Sequence, residues 1–148
     1  MSWLETYRGT VYRWEVDNVD HFTVAFYFAR LEDARDALLH AVGLDAEAVA
    51  VSGGACVTVE CYVRYLRELR VGDILHIRTG VVGVDAEGLR LVHEVIDSGD
   101  GTICTIVEER VALVDGKSRT PRPLSAAERS AASARRVDPR KSPSGVEV

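Results

Sequence analysis

Residues 14–30 read WEVDNVDHFTVAFYFAR, and the chain continues through LEDARDALLHAVG to residue 43. From Phe22 onward Tyr27, Leu31, Ala34, Leu38 and Val42 recur at helical steps, which predicts one long helix running to about His40 with Gly43 as its stop. The first half of that helix is apolar on nearly every side and is expected to be surrounded by protein. Its second half is amphipathic. Just ahead of it stand Glu15, Asp17, Asp20 and His21, a cluster that core packing does not require.

Working outward, residues 6–16, TYRGTVYRWEV, alternate as a strand ending before Asp17. Downstream, residues 55–69 and 73–84 are rich in Val, Ile, Thr and Tyr with VGD between them, which predicts two paired strands. Residues 88–97 and 102–114 continue the pattern across DAEG and SGDG, both suited to hairpins. A strand, a long helix and a four-strand meander give an α+β fold of about five antiparallel strands. Such a sheet has to curl around an apolar helix, because a flat one would leave part of it wet. Residues 1–121 form the expected domain. Residues 122–148 are poor in large apolar side chains and rich in Pro and Ser, so they are expected to be a disordered or loosely attached tail.

Composition narrows the function classes. A chain of 148 residues with 47% hydrophobic and 28% charged residues has the makings of one globular domain. Its net charge of -5 argues against binding nucleic acid through phosphate neutralisation. No stretch reaches the length of a membrane span, and the amino terminus lacks a signal-peptide pattern, so a cytoplasmic protein is expected. Cys56, Cys61 and Cys104 are odd in number and sit in apolar runs without CxxC spacing, which favours buried thiols over disulfides or a metal site. His76 and His93 lack a second ligand at a telling spacing. Neither a metal nor a cofactor is expected, and GxSxG, P-loop and dinucleotide fingerprints are absent from the sequence.

VDNVDHFTVAFYFARLEDARDALL at residues 16–39 and VECYVRYLRELRVGD at residues 59–73 resemble the hotdog-fold acyl-CoA thioesterases of the 4-hydroxybenzoyl-CoA thioesterase-like superfamily. The resemblance spans residues 7–121 and is nearest to the thioesterase domains fused to carnitine dehydrogenases, through a pattern running from Val59 to Gly72. It implies a long central helix wrapped by a curled antiparallel sheet, an acyl-CoA substrate, and a homodimer or tetramer with sites at the subunit boundary. It places Asp17 at the position of the family's catalytic carboxylate. Two departures stand out: Asp20 occupies a turn position where relatives usually have Gly, and Ala25 and Phe26 stand where many have Asn.

The residues allow a physical reading of the same chemistry. Hydrolysis of a thioester needs a nucleophile or an activated water, and donors for the charge that builds on the carbonyl oxygen. Asp17 is suited to the first task, as nucleophile or as base toward water. Backbone N–H groups near Thr23 and Val24, at a helix start, are suited to the second. His21 is placed to orient Asp17, bind substrate or move a proton. A turn or helix cap with no chemistry also explains DNVDH, since Asp and Asn favour such positions. Glu60 and Tyr62 share one face of a strand, either as a solvated sheet surface or as part of the acyl pocket. A trimethylammonium acyl group would suit Trp14 or Tyr62 with a nearby carboxylate. Arg64, Arg67 and Arg70 are either contacts for coenzyme A phosphates or surface charge paired with Glu68 and Asp73. The second class of function left open is an acyl-CoA or small-ligand binding module that kept the fold and lost the chemistry, the class that Asp20 and the missing Asn favour.

Overall fold

The computed structural model describes residues 2–86 and 88–138. Its five strands are β1 (Leu4–Thr10), β2 (Gly54–Tyr65), β3 (Ile74–Val84), β4 (Gly88–Asp97) and β5 (Ile103–Asp115). Its helices are α1 (Val24–Ala41), α2 (Ala46–Val51) and α3 (Ala126–Ser133). The strands form one antiparallel sheet in the order β1-β3-β4-β5-β2, and α1 lies against it as the periodicity predicts.

The sheet order corrects the expected meander. β3–β4 and β4–β5 are hairpins, but β2 pairs with β5 and not with β3. The segment around VGD carries the chain from one sheet edge to the other and ends beside β1. Local turn chemistry marks where a strand stops, but not which strand it meets. The first strand also ends earlier than expected. Leu4–Thr10 pairs with β3, and Arg13–Glu15 is a single 3-10 turn.

Two apolar clusters fill the space between α1 and the sheet. One joins Leu38, Leu39 and Val42 to Val81, Leu91 and Leu113. The other joins Tyr27, Leu31 and Ala34 to Leu75, Ile77, Val95 and Val107. On the same sheet face runs a buried polar belt. Thr6 and Thr79 hydroxyls lie 2.8 Å apart, Thr79 is 2.7 Å from His93 Nδ1, and His93 Nε2 is 3.5 Å from Glu109. Arg35 of α1 closes the belt on Glu109 and donates to Thr58 Oγ1 at 3.0 Å. The first half of α1 is less enclosed than expected, with Val24 54% and Phe28 39% exposed in the single chain.

The tail is also corrected. Beyond residue 121 the chain builds α3, which opens with Ser125 accepting from Glu128 N–H while Glu128 reaches back to Ser125 N–H. Leu124, Ala132 and Val137 are buried. Arg136 forms a parallel bridge to Val81 of β3, and Val137 packs with Val92, Ile96, Ile103 and Ile106 on the sheet's outer face. Gly80 makes room for it, since a Cβ there would fall 2.4 Å from a Val137 methyl. A loose tail therefore does not hold for residues 122–138, and residues 139–148 lie outside the described residues. Leu124→Ala is expected to cost about 2–5 kcal/mol in denaturant titrations. An unchanged midpoint would restore the loose arm.

Among the described residues no helix is long and apolar enough to cross a membrane. No group of three or more His, Cys, Asp or Glu among them is arranged to hold a metal ion. Cys104 is buried, but Cys56 is only half-buried and Cys61 is exposed. The thiols are thus less uniformly buried than their apolar neighbours in sequence suggest.

Candidate active site

The acidic cluster resolves into one buried anchor and one exposed turn. Glu15 is 2% exposed. Its carboxylate accepts the Tyr12 N–H at 2.9 Å and pairs with Arg30 of α1, while its backbone carbonyl accepts the Thr23 N–H at 3.0 Å. The Arg30 guanidinium in turn lies over the rings of Tyr7 and Phe22. Glu15 thereby fixes the entry of the chain into α1.

Val16 and Phe22 then bridge in antiparallel fashion, so residues 17–21 form the tip of a tight turn. Asp17 N–H donates to the His21 carbonyl at 2.9 Å, and Asp20 N–H to the Asp17 carbonyl at 3.1 Å. Asp17 Oδ1 accepts the N–H groups of Val19 and His21, each at 3.0 Å. Asp20 sits at φ 62°, the left-handed region that Asp tolerates better than most residues, and its carboxylate is 3.3 Å from Arg13. The structure thus answers how Asp stands at a turn position where the resemblance leads one to expect Gly.

The two N–H donors, that of His21 first, hold the Asp17 carboxyl below the usual aspartate range. Asp17 is exposed and ionised at neutral pH. If its carboxylate is needed for turnover, kcat/KM stays level as pH falls and drops only below the ordinary aspartate value of about 3.9. A pH–rate profile whose acid limb lies near neutrality would overturn that assignment.

His21 reaches Asp17 through its backbone, and no side-chain hydrogen bond joins the two among the described residues. Thr23 is the residue before α1, but its N–H is taken by Glu15 and its hydroxyl does not cap the helix. It therefore does not supply the free donor expected of it. Val24 and Ala25 carry the first N–H groups of α1, which have no partner one turn back in the helix.

Phe22 N–H donates to the Leu69 carbonyl at 2.8 Å, and His21 bridges Arg70. These contacts lay the segment after β2 alongside the turn. A cavity of about 260 Å³ lies there, lined by Tyr27, Tyr65, Leu66, Arg67 and Glu68. Tyr27 stacks at a tilt on Phe22, and its ring lies 5.6 Å from that of Tyr65 at 70°. Burial pushes the Tyr27 phenol up to about 12, so it is neutral at physiological pH. Arg67 is held by Asp97 at 2.6 Å and Asp100 at 2.8 Å. These partners are distant in sequence, unlike the neighbours Glu68 and Asp73 expected from spacing.

Glu60 and Tyr62 are placed elsewhere in the chain. A bulge at Val59 shifts the β2–β5 register, after which Cys61 and Val63 stand opposite Glu109 and Val107 on the helix side. Glu60 and Tyr62 stand opposite Arg110 and Glu108 on the outer face, beside a cavity of about 460 Å³ that Arg90 also lines. The fold thus gathers Asp17, His21, Thr23 and Val24 at one end of α1 and leaves Glu60 and Tyr62 across the sheet. Sequence reasoning passed over Tyr27, Tyr65 and Glu68 as site residues, because only the path of the chain after β2 brings them to α1.

A sequence profile described as the thioesterase-like superfamily matches residues 11–137. The chain belongs to that superfamily. Thioester hydrolysis is the chemistry that this membership assigns. The match runs past residue 121, in keeping with the packed α3. A betainyl-CoA thioesterase of Pseudomonas aeruginosa is 32% identical over 120 residues, covering 80% of this chain and 76% of that protein. An L-carnitine dehydrogenase/betainyl-CoA thioesterase of Agrobacterium fabrum is 39% identical over 103 residues, 70% of this chain but only 21% of that protein. The chain thus spans about a fifth of that longer relative. Among solved structures, a Staphylococcus aureus protein in complex with CoA aligns with a TM-score of 0.82 at 18% identity, covering 93% of this chain and 89% of that one. At that identity the likeness establishes the hotdog fold alone.

Proposed function

We propose that the protein hydrolyses the CoA thioester of a small acyl group, betainyl in the first instance, to the free acid and CoA. The observation that carries this reading is the turn at residues 17–21. It holds an ionised carboxylate on two backbone N–H groups immediately before the start of a long helix. A thioester carbonyl set against the Val24 and Ala25 N–H groups would be polarised by donors and by the helix dipole. Asp17 either attacks the carbonyl carbon or takes a proton from the attacking water. In the first course the C–S bond breaks to give a mixed anhydride, which water then hydrolyses to the free acid and the restored carboxylate, while the CoA thiolate takes up a proton. In the second course the water oxygen bonds to carbon, the C–S bond breaks and the proton leaves on the CoA sulfur. The names of the relatives support betainyl as the acyl group. The cavity between Tyr27 of α1 and the segment after β2, at about 260 Å³, is below the usual range for drug-sized ligands and suits a short acyl chain.

The working unit of this reading is a pair of chains. Among the described residues β2 is a long edge strand whose one partner is β5, and its Val59, Tyr62 and Tyr65 are exposed. Pairing β2 with its copy would satisfy the open edge and bring a second chain beside the site. A solution mass of one chain, measured by light scattering, would sink the paired unit.

Thiol release from a panel of acyl-CoA esters tests the activity. Turnover fastest on betainyl-CoA is the expected result. Saturable binding with no thiol released from any ester would establish the non-catalytic binding module instead.

A further inference from the structure

We infer that the Tyr27–Tyr65–Glu68 cavity receives the quaternary ammonium of the acyl group, an inference that rests on the short cationic substrate proposed above. In a betainyl thioester one methylene separates the ammonium from the carbonyl carbon. Any pocket for the cation must therefore lie next to the group that attacks that carbon. Among the cavities described, the one lined by Tyr27, Tyr65, Leu66, Arg67 and Glu68 is linked to the Asp17 turn through Phe22, whose ring packs on Tyr27 in the first turn of α1. The segment that lines it continues along the chain into Leu69 and Arg70, which pair with Phe22 and His21 of the Asp17 turn.

Its chemistry fits a cation that has no N–H to donate. Trimethylammonium cannot hydrogen-bond, so recognition falls to aromatic faces and uncancelled negative charge. Tyr27 and Tyr65 meet at 70° with centroids 5.6 Å apart, which gives two walls of a corner. Phe22 behind Tyr27, at 4.5 Å, fixes one wall. Arg67 would repel such a ligand, but Asp97 and Asp100 both engage its guanidinium. Arg67 therefore does not cancel Glu68, and the cavity presents aromatic surface with a carboxylate at its rim. A neutral or anionic acyl group gains nothing from that carboxylate. The subsite thus selects for charge as well as for size.

The test compares kcat/KM for betainyl-CoA with kcat/KM for 3,3-dimethylbutyryl-CoA, in which carbon replaces the ammonium nitrogen at nearly the same shape. In Glu68→Gln and in Tyr65→Leu the ratio of the two is expected to fall by about tenfold, the scale of one cation–aromatic or charge contact. Tyr65→Phe, which keeps the ring, is expected to hold the wild-type ratio. A wild-type ratio in Glu68→Gln and Tyr65→Leu would overturn the subsite. Should the wild type hydrolyse neither ester, the thioesterase reading fails, and tetramethylammonium binding by calorimetry judges the subsite separately. Binding weakened about tenfold by Glu68→Gln would support it, and binding indifferent to that change, or none, would overturn it.

Discussion

Asp17→Asn is expected to lower kcat on the preferred acyl-CoA ester by about 10²–10⁴-fold, the contribution of a positioned general base, with no change in fold. The geometry explains why Asn is the informative replacement. The Asp17 oxygen that accepts the Val19 and His21 N–H groups is kept by an amide, so the turn keeps both bonds. What disappears is the negative charge, and with it any capacity to attack a carbonyl or take a proton from water. Asp17→Ala removes the acceptor as well, so its loss of activity would mix chemistry with a loosened turn. Circular dichroism and thermal melting of Asp17→Asn should match the wild type. A variant that folds normally and turns over at the wild-type rate would leave Asp17 as a turn-forming residue only.

The second large effect is one of stability. Glu15→Ala is expected to cost about 3–5 kcal/mol, because it strands the guanidinium of a buried ion pair. Glu15 is 2% exposed, and Arg30 is 14% exposed over the rings of Tyr7 and Phe22. The same substitution removes the acceptor for the Tyr12 N–H. The cost arises mainly from the charge left behind, so replacing both partners with apolar residues should restore much of the stability. The double variant Glu15→Leu with Arg30→Met provides that comparison in urea titrations. Should Glu15→Ala lose less than about 1 kcal/mol, a value typical of exposed pairs, Glu15 would not be the anchor of the Asp17 turn. The effect also bears on catalysis, since the Glu15 carbonyl holds the Thr23 N–H at the start of α1.

The helix and its partners in the core were plain from sequence. Tyr27, Leu31, Ala34 and Leu38 announce one face of α1 and Val42 its C-cap, and all five are buried. The strands from β2 to β5 were likewise legible in their β-branched runs and turn residues. Ser125 and Glu128 carry a local signal that the reading by composition passed over. Their spacing is that of a capping box, yet the paucity of large apolar residues around them suggested a loose tail. Apolar content failed as a guide because Leu124, Ala132 and Val137 need few atoms of their own. Their partners are a bare backbone at Gly80 and side chains from strands far away in sequence.

The candidate site divides along the same line. The sequence by itself determined the long apolar helix, the strands and the carboxylate turn ahead of the helix, because local periodicity and turn chemistry act over a few residues. Family resemblance singled out Asp17 within that turn. The tertiary structure alone decided that β2 pairs with β5, that Glu15 is the buried anchor of the turn, and that the Thr23 N–H is already in use. It alone moved Glu60 and Tyr62 to the far face and brought Tyr27, Tyr65 and Glu68 together. Strand partners, buried ion pairs and cavity walls are chosen by long-range packing, where a one-residue shift in register exchanges the faces of a strand.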